Sequence, residues 1–216
     1  MRELALIASI LFTLAGCSGA TVQQRNADEL VERAVEYARQ GDLKRSIELL
    51  DQALQINPRH ASAWAVRATA VRKLGDYQRA IQDATKAIEI DPKLAAAYCQ
   101  RAFAYQQSDL DKRVERFFAD ANKAIELDPT VALSFIIRGN ARLELNEYRE
   151  ALADFTRAIQ LNPRSYNGYG NRSRAYAALG DLEKARADIN KALSLNPPKE
   201  DKLSIEAFRK TLAVRP

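Results

Sequence analysis

The chain has 216 residues and carries 33 Lys and Arg against 28 Asp and Glu, a net charge of +5 that is modest for its length. No interleaved aromatic–basic module accompanies that charge, so nucleic acid is set aside as the partner. With 47% hydrophobic and 28% charged residues the composition suits one helical assembly, and two Cys are too few for a disulfide framework.

Met1-Arg2-Glu3 leads into an unbroken apolar and small-residue run, Leu4 to Gly16, followed by Cys17-Ser18-Gly19. A run of this length suits the hydrophobic part of a secretory leader and is too short to span a bilayer. Leu14-Ala15-Gly16-Cys17 resembles the lipobox of bacterial lipoproteins. The resemblance implies that 1–16 is an excised signal peptide and that Cys17 receives a diacylglyceryl group on its thiol and acylation of its new amino terminus. An ordinary signal peptide with an incidental Cys is the alternative. Residues 17–26 then form the lipidated Cys and a short tether, spanning at most ~30 Å from Ser18 to Asn26. Ser18 stands where an Asp would signal inner-membrane retention in enterobacterial lipoproteins. The resemblance therefore implies the periplasmic side of the outer membrane, with acyl chains as the membrane contact.

Beyond the leader the chain is periodic. Pro58, Pro92, Pro129, Pro163 and Pro197 are separated by 34, 37, 34 and 34 residues, each preceded by Asn or Asp. Ala53, Ala87, Ala124, Ala158 and Ala192 each stand five residues before their Pro. In Ala61–Leu94, Trp64, Ala68 and Val71 recur at helical spacing before Gly75-Asp76. Tyr77, Ala80, Ile81, Ala84, Ala87 and Ile88 recur after it. Gly75 ends one helix, Asp76 caps the next, and Pro92 stops it. Each period is a helical hairpin too small to bury its apolar faces alone.

This pattern resembles the tetratricopeptide repeat. The resemblance implies an all-α, right-handed α-solenoid of five hairpins, at 27–60, 61–94, 95–131, 132–165 and 166–199, with a capping helix over 200–216. In that segment Leu203 and Ala207, or Ile205 and Phe208, would join Leu212 on the covered face. The third repeat lacks its Gly, and Gln106–Arg116 holds three extra residues, as a longer connection or an added helical turn. Phe117 and Phe118 follow. In the fourth, Asn146 replaces the turn Gly.

No catalytic motif, phosphate-cradling Gly loop or metal-spaced Cys pair is present, so no enzyme, cofactor or metal is expected. With Cys17 carrying lipid, no intramolecular disulfide is expected at Cys99. His60, the single His, reads as a solvated loop residue beside Pro58. An Arg seventh in the repeat is matched by an Asp further on: Arg67 with Asp83, Arg101 with Asp120, Arg138 with Asp154, and Arg172 with Asp188. Facing one another across a hairpin these make two-point ion pairs; an Arg ladder that binds a ligand is the alternative.

Members of the family bind peptides or helices in a concave groove lined by first helices. Carried onto this chain, the groove centres on Phe103, Leu133 and Ile136, with Cys99 and Asn140 beside them and Arg72, Lys73 and Arg174 toward the sides. Burial of these residues by curvature or by the capping helix is the alternative. Val31, Ala65, Cys99, Ile136 and Gly170 stand where one branch of the family needs Lys to clamp a terminal carboxylate, which argues against that clamp. The expected function is a membrane-anchored scaffold that docks other envelope proteins or peptides. An assembly lipoprotein for a pilus or secretion channel, or an enzyme with an unrecognised site, are the alternatives.

Overall fold

The computed structural model describes residues 22–109 and 112–213. The leader 1–16, Cys17 with the first part of the tether, and two residues of the insert lie outside them. Among the described residues there are eleven α-helices and no strand. None of these helices is long and apolar enough to cross a membrane. The chain divides into two compact units, Met1–Asp128 and Pro129–Pro216.

The first unit holds three hairpins: α1 (Val22–Gln40) with α2 (Leu43–Ile56), α3 (Ala61–Lys73) with α4 (Tyr77–Ile90), and α5 (Ala95–Gln107) with α6 (Arg113–Leu127). The second holds α7 (Ala132–Glu144) with α8 (Tyr148–Leu161) and α9 (Tyr166–Ala178) with α10 (Leu182–Ser194), followed by α11 (Lys199–Ala213). Helix α1 reaches back to Val22, so the stretch expected as tether is helical over its last residues.

One device closes four of the five hairpins. Gly75 adopts φ +87, its N–H bonds the carbonyl of Arg72, and the N–H of Asp76 reaches back to Val71. Those two bonds satisfy carbonyls that a helix end leaves orphaned, and they require a left-handed residue that glycine supplies without steric cost. Asp76 then accepts the N–H of Arg79 and opens α4. Asn146 serves the same turn at φ 61, with Glu147 N–H bonding the carbonyl of Arg142.

The third hairpin departs from this. Its connection runs from Ser108 to Lys112, the latter left-handed at φ 54, and α6 has 15 residues where α4 has 14. Of the three extra residues, two lengthen the connection and one lengthens the helix.

Between repeats the Asn or Asp before Pro is extended, and its N–H bonds the Ala four residues earlier: Asn57 to Ala53, Asp91 to Ala87, Asp128 to Ala124 and Asn162 to Ala158. Those four alanines are fully buried, since a neighbouring helix lies against them where a larger side chain would not fit. In the second unit Phe155 takes a position held by Ala84 in the second repeat, and Gly139 makes the room. A Cβ on Gly139 would sit 2.5 Å from the Phe155 ring.

Helix α11 closes the second unit. Ile205, Phe208 and Leu212 pack on Ala177, Ala185 and Ile189, so the covered face follows the Ile205 and Phe208 alternative, and Leu203 is exposed. Tyr166 donates from its hydroxyl to Asp201 at 2.7 Å near the start of α11, and Arg186 donates to the carbonyl of Leu212 at 2.7 Å near its end.

His60 is not a solvated loop residue. It is 5% exposed and caps α3, accepting the N–H of Ala63 at Nδ1, while Nε2 lies 2.8 Å from Asp28. A ring that accepts at one nitrogen and donates at the other joins the first repeat to the second.

Candidate functional site

Each seventh-position Arg forks onto its Asp within one hairpin. Arg67 bonds Asp83 at 2.8 and 2.7 Å, and Arg101 bonds Asp120 at 2.7 and 2.8 Å. Arg138 bonds Asp154 at 2.9 and 2.6 Å, and Arg172 bonds Asp188 at 2.7 and 2.9 Å. Nε and Nη2 make the fork, the planar two-point geometry that Lys cannot supply.

The third nitrogen turns backward to the preceding repeat. Arg67 reaches Asp51, Arg101 reaches Thr85 at 3.2 Å, and Arg172 reaches Thr156 at 3.3 Å. Each of these three guanidiniums thus ties two helices of its own hairpin and one of the hairpin before. Aromatic residues three positions earlier lie under them, Trp64 at 4.5 Å from Arg67 and Tyr169 at 5.6 Å from Arg172. In Arg172 the hydrogen bonds with Asp188 outweigh burial and hold the guanidinium above its ordinary pKa. With their donors taken up this way, these Arg side chains serve the stack, and the ligand-ladder alternative gains no support.

The groove residues divide sharply. In the first unit Cys99 is fully buried, and Arg72 is folded over the Phe103 ring at 4.0 Å, with Nε 3.4 Å from Gln100. That leaves Arg72 8% exposed and covers the aromatic face expected as an anchor; Lys73 beside it stands in solvent. In the second unit Ile136 is 7% exposed and Leu133 half-buried, while Asn140 keeps its carbonyl oxygen enclosed without a hydrogen-bond partner.

Cys99 and Ile136 therefore correct the expected surface. A first helix packs against its own second helix and a neighbouring first helix, as α5 does with α6 and α3, and as α7 does with α8 and α9. Fifth-position residues of the first four repeats, Val31, Ala65, Cys99 and Ile136, are core in this packing, whereas Gly170 of the fifth is not. Arg174 behaves differently: it is exposed and makes no ion pair with another described residue.

Arg174 also borders a pocket of about 380 Å³ between α9 and α11. Asn167, Gly170, Asn171 and Arg174 form the α9 wall, spaced so that they share one helical face. Ile189, Ile205 and Phe208 supply apolar lining; Tyr166, Asp201 and Ser204 complete the rim. The side chains of Asn167 and Asn171 make no hydrogen bond to another described residue.

Gly170 is the unusual member. Gly41, Gly75 and Gly180 have positive φ, and a Cβ on Gly139 or Gly168 would press on Phe155 or Ile159. Gly170 has neither reason: a Cβ there would meet nothing within 4 Å. Glycine inside a helix costs about 0.5–1 kcal/mol relative to alanine, and nothing within the fold offsets that here.

The Tetratricopeptide repeat family model matches residues 31–95 and 138–200. The chain belongs to the tetratricopeptide repeat family. Solved tetratricopeptide structures resemble it over most of its length. A thermophilic TPR protein in Thermus thermophilus is 20% identical over 88% of this chain and 100% of its own, with a TM-score of 0.69. PilW, described as a widely conserved type IV pilus biogenesis factor, is 20% identical over 87% of this chain and 86% of its own, at 0.72. PilF of Pseudomonas aeruginosa is 17% identical over 89% of each chain, also at 0.72. No curated protein matches in sequence. At such identities the likeness carries the tetratricopeptide fold alone; membership of the family, shown by the family model, marks a scaffold for contact between proteins.

Proposed function

We propose that this tetratricopeptide chain is a lipid-anchored scaffold of the bacterial cell envelope that docks a partner protein. The observation that carries the reading is the union of two features in one chain. Leu14-Ala15-Gly16-Cys17 follows an apolar leader of secretory length, and a repeat array follows within a few residues of it. One acyl chain anchors only marginally, whereas the two or more on a processed lipoprotein Cys hold firmly. The short tether keeps the scaffold beside its membrane, on the periplasmic side of the outer membrane. The recognition surface belongs to first helices, and among the described groove residues Arg174 is the exposed, uncommitted charge that borders a pocket.

The likeness to two pilus proteins favours a narrower second reading, an assembly lipoprotein for a pilus. That reading asks for co-purification with a multimeric pilus component, and the broader one does not.

Mass spectrometry of the protein extracted from envelope membranes tests the anchor. Acyl groups on Cys17, and a precursor that accumulates unprocessed in Cys17→Ser, are the expected results. An unmodified Cys17 on the mature chain would overturn the anchor.

A further inference from the structure

We propose that the pocket between α9 and α11 receives an extended segment of the partner that presents an acidic side chain to Arg174, with the partner's backbone passing over Gly170. The inference rests on the docking role proposed above and names the chemistry of one site within it. Three observations converge on the same helical face. Arg174 is an exposed cation with no ion pair among the described residues, and it stands at the mouth of the pocket. Asn167 and Asn171, one turn apart, leave their amides uncommitted on the same wall, where they offer both donors and acceptors to a peptide backbone. Gly170 lies between them with open space where a Cβ would be. Neither backbone conformation nor packing requires a glycine at that point, whereas close approach by another chain's backbone does.

The floor explains the rest of the fit. Phe208 and Ile205 from α11 and Ile189 from α10 give an apolar bed beside a polar wall, the arrangement that suits a carboxylate side chain flanked by a bulky apolar one. Asp201 keeps its negative charge, but the Tyr166 hydroxyl holds it beside the start of α9, eight residues and about 12 Å along the helix from Arg174, so the acidic side chain belongs at the Arg174 end. Elsewhere on the expected groove the competing Arg is spent: Arg72 lies on Phe103.

The test uses a displayed pool of random internal peptides, selected on the intact protein and then measured by fluorescence anisotropy as acetylated, amidated peptides. The expected consensus pairs Asp or Glu with a large apolar residue. Arg174→Glu should weaken such peptides at least about tenfold, the scale of a lost charge-assisted hydrogen bond. Gly170→Leu should abolish binding. Gly170→Ala separates a binding role from a structural one: it should raise Tm by about 2–4 °C through helix propensity while weakening the peptide several-fold. Peptides that bind all three variants as they bind the original chain would overturn the pocket and leave the docking role standing. A pool yielding no binder would overturn the peptide pocket in the same way.

Discussion

Replacing Arg67 perturbs the repeat stack where its consequences are most readily read. Its guanidinium forks onto Asp83, reaches back to Asp51 and lies 4.5 Å over the ring of Trp64, the only tryptophan. Asp83 is 4% exposed in its side chain and Asp51 is 42% exposed. Arg67→Leu strands Asp83 in the interior; breaking a buried pair costs roughly 3–5 kcal/mol, and Arg67's own partial exposure places the loss near the lower end. The lost cation–π contact adds about 0.5–1 kcal/mol. Asp51→Asn, which removes only a half-exposed charge, should cost less than about 1 kcal/mol and lose its effect in high salt. Asp83→Leu should fall between them, because Arg67 keeps Asp51. In Arg67→Leu/Asp83→Leu no charge is stranded, so the double variant should recover at least about 1 kcal/mol of the summed losses. Urea unfolding followed by Trp64 fluorescence and by far-UV circular dichroism measures all four. Additive single losses, or an Arg67→Leu cost below that of Asp51→Asn, would refute the structural role of the Arg–Asp ladder.

Other consequences follow from particular contacts. Gly139→Ala should destabilise by about 1–3 kcal/mol despite its better helix propensity, because its Cβ meets the Phe155 ring, and Phe155→Leu should relieve part of that cost; thermal melts of the three variants decide it. His60→Ala should cost about 1–2 kcal/mol by uncapping α3, with His60→Asn recovering the cap but not the tie to Asp28, as read by urea midpoints. Asp181 caps α10, and the hydrogen bond from the Lys184 side chain, then that from the Lys184 N–H, holds its carboxyl below the ordinary value. A carboxyl depressed in the folded state stabilises above its unfolded pKa and ceases to do so as pH falls through the folded value, so Asp181→Ala should weaken the chain near neutrality and leave it unchanged well below about pH 4. Parallel melts across pH 2–7 would show a constant deficit if that sign were wrong.

The hairpins were legible in the sequence because their punctuation is local. A Pro every 34 or 37 residues, an Asn or Asp before it and, in three repeats, a Gly-Asp pair between the helices each impose a backbone conformation without help from distant residues. The Arg–Asp partners were legible as well, since a fixed spacing across a fixed turn brings them face to face. The backward bonds to Asp51, Thr85 and Thr156 were missed. Each of those residues also stands sixteen positions before its Arg, a signal of the same kind read in the other direction.

Tertiary facts were not legible. Cys99 and Ile136 occupy positions that face a groove in the family, yet whether such a side chain is wall or core depends on how closely the neighbouring first helix approaches. His60 looked like loop because an imidazole is an uncommon cap, and its partner Asp28 lies 32 residues away. The glycines look alike in sequence, and only their surroundings separate Gly75, which the turn requires, and Gly139, which Phe155 requires, from Gly170, which nothing in the fold requires.

The most direct measurement is photo-crosslinking in living cells from a benzoylphenylalanine placed at Asn171 on the pocket wall, with the same probe at exposed Glu48 on α2 as the control. A single envelope protein joined at 171 and not at 48, through a segment that carries Asp or Glu beside a large apolar residue, is the predicted result. Equal adducts from both positions, or none from 171 while the protein remains folded and membrane-bound, would contradict docking at this pocket.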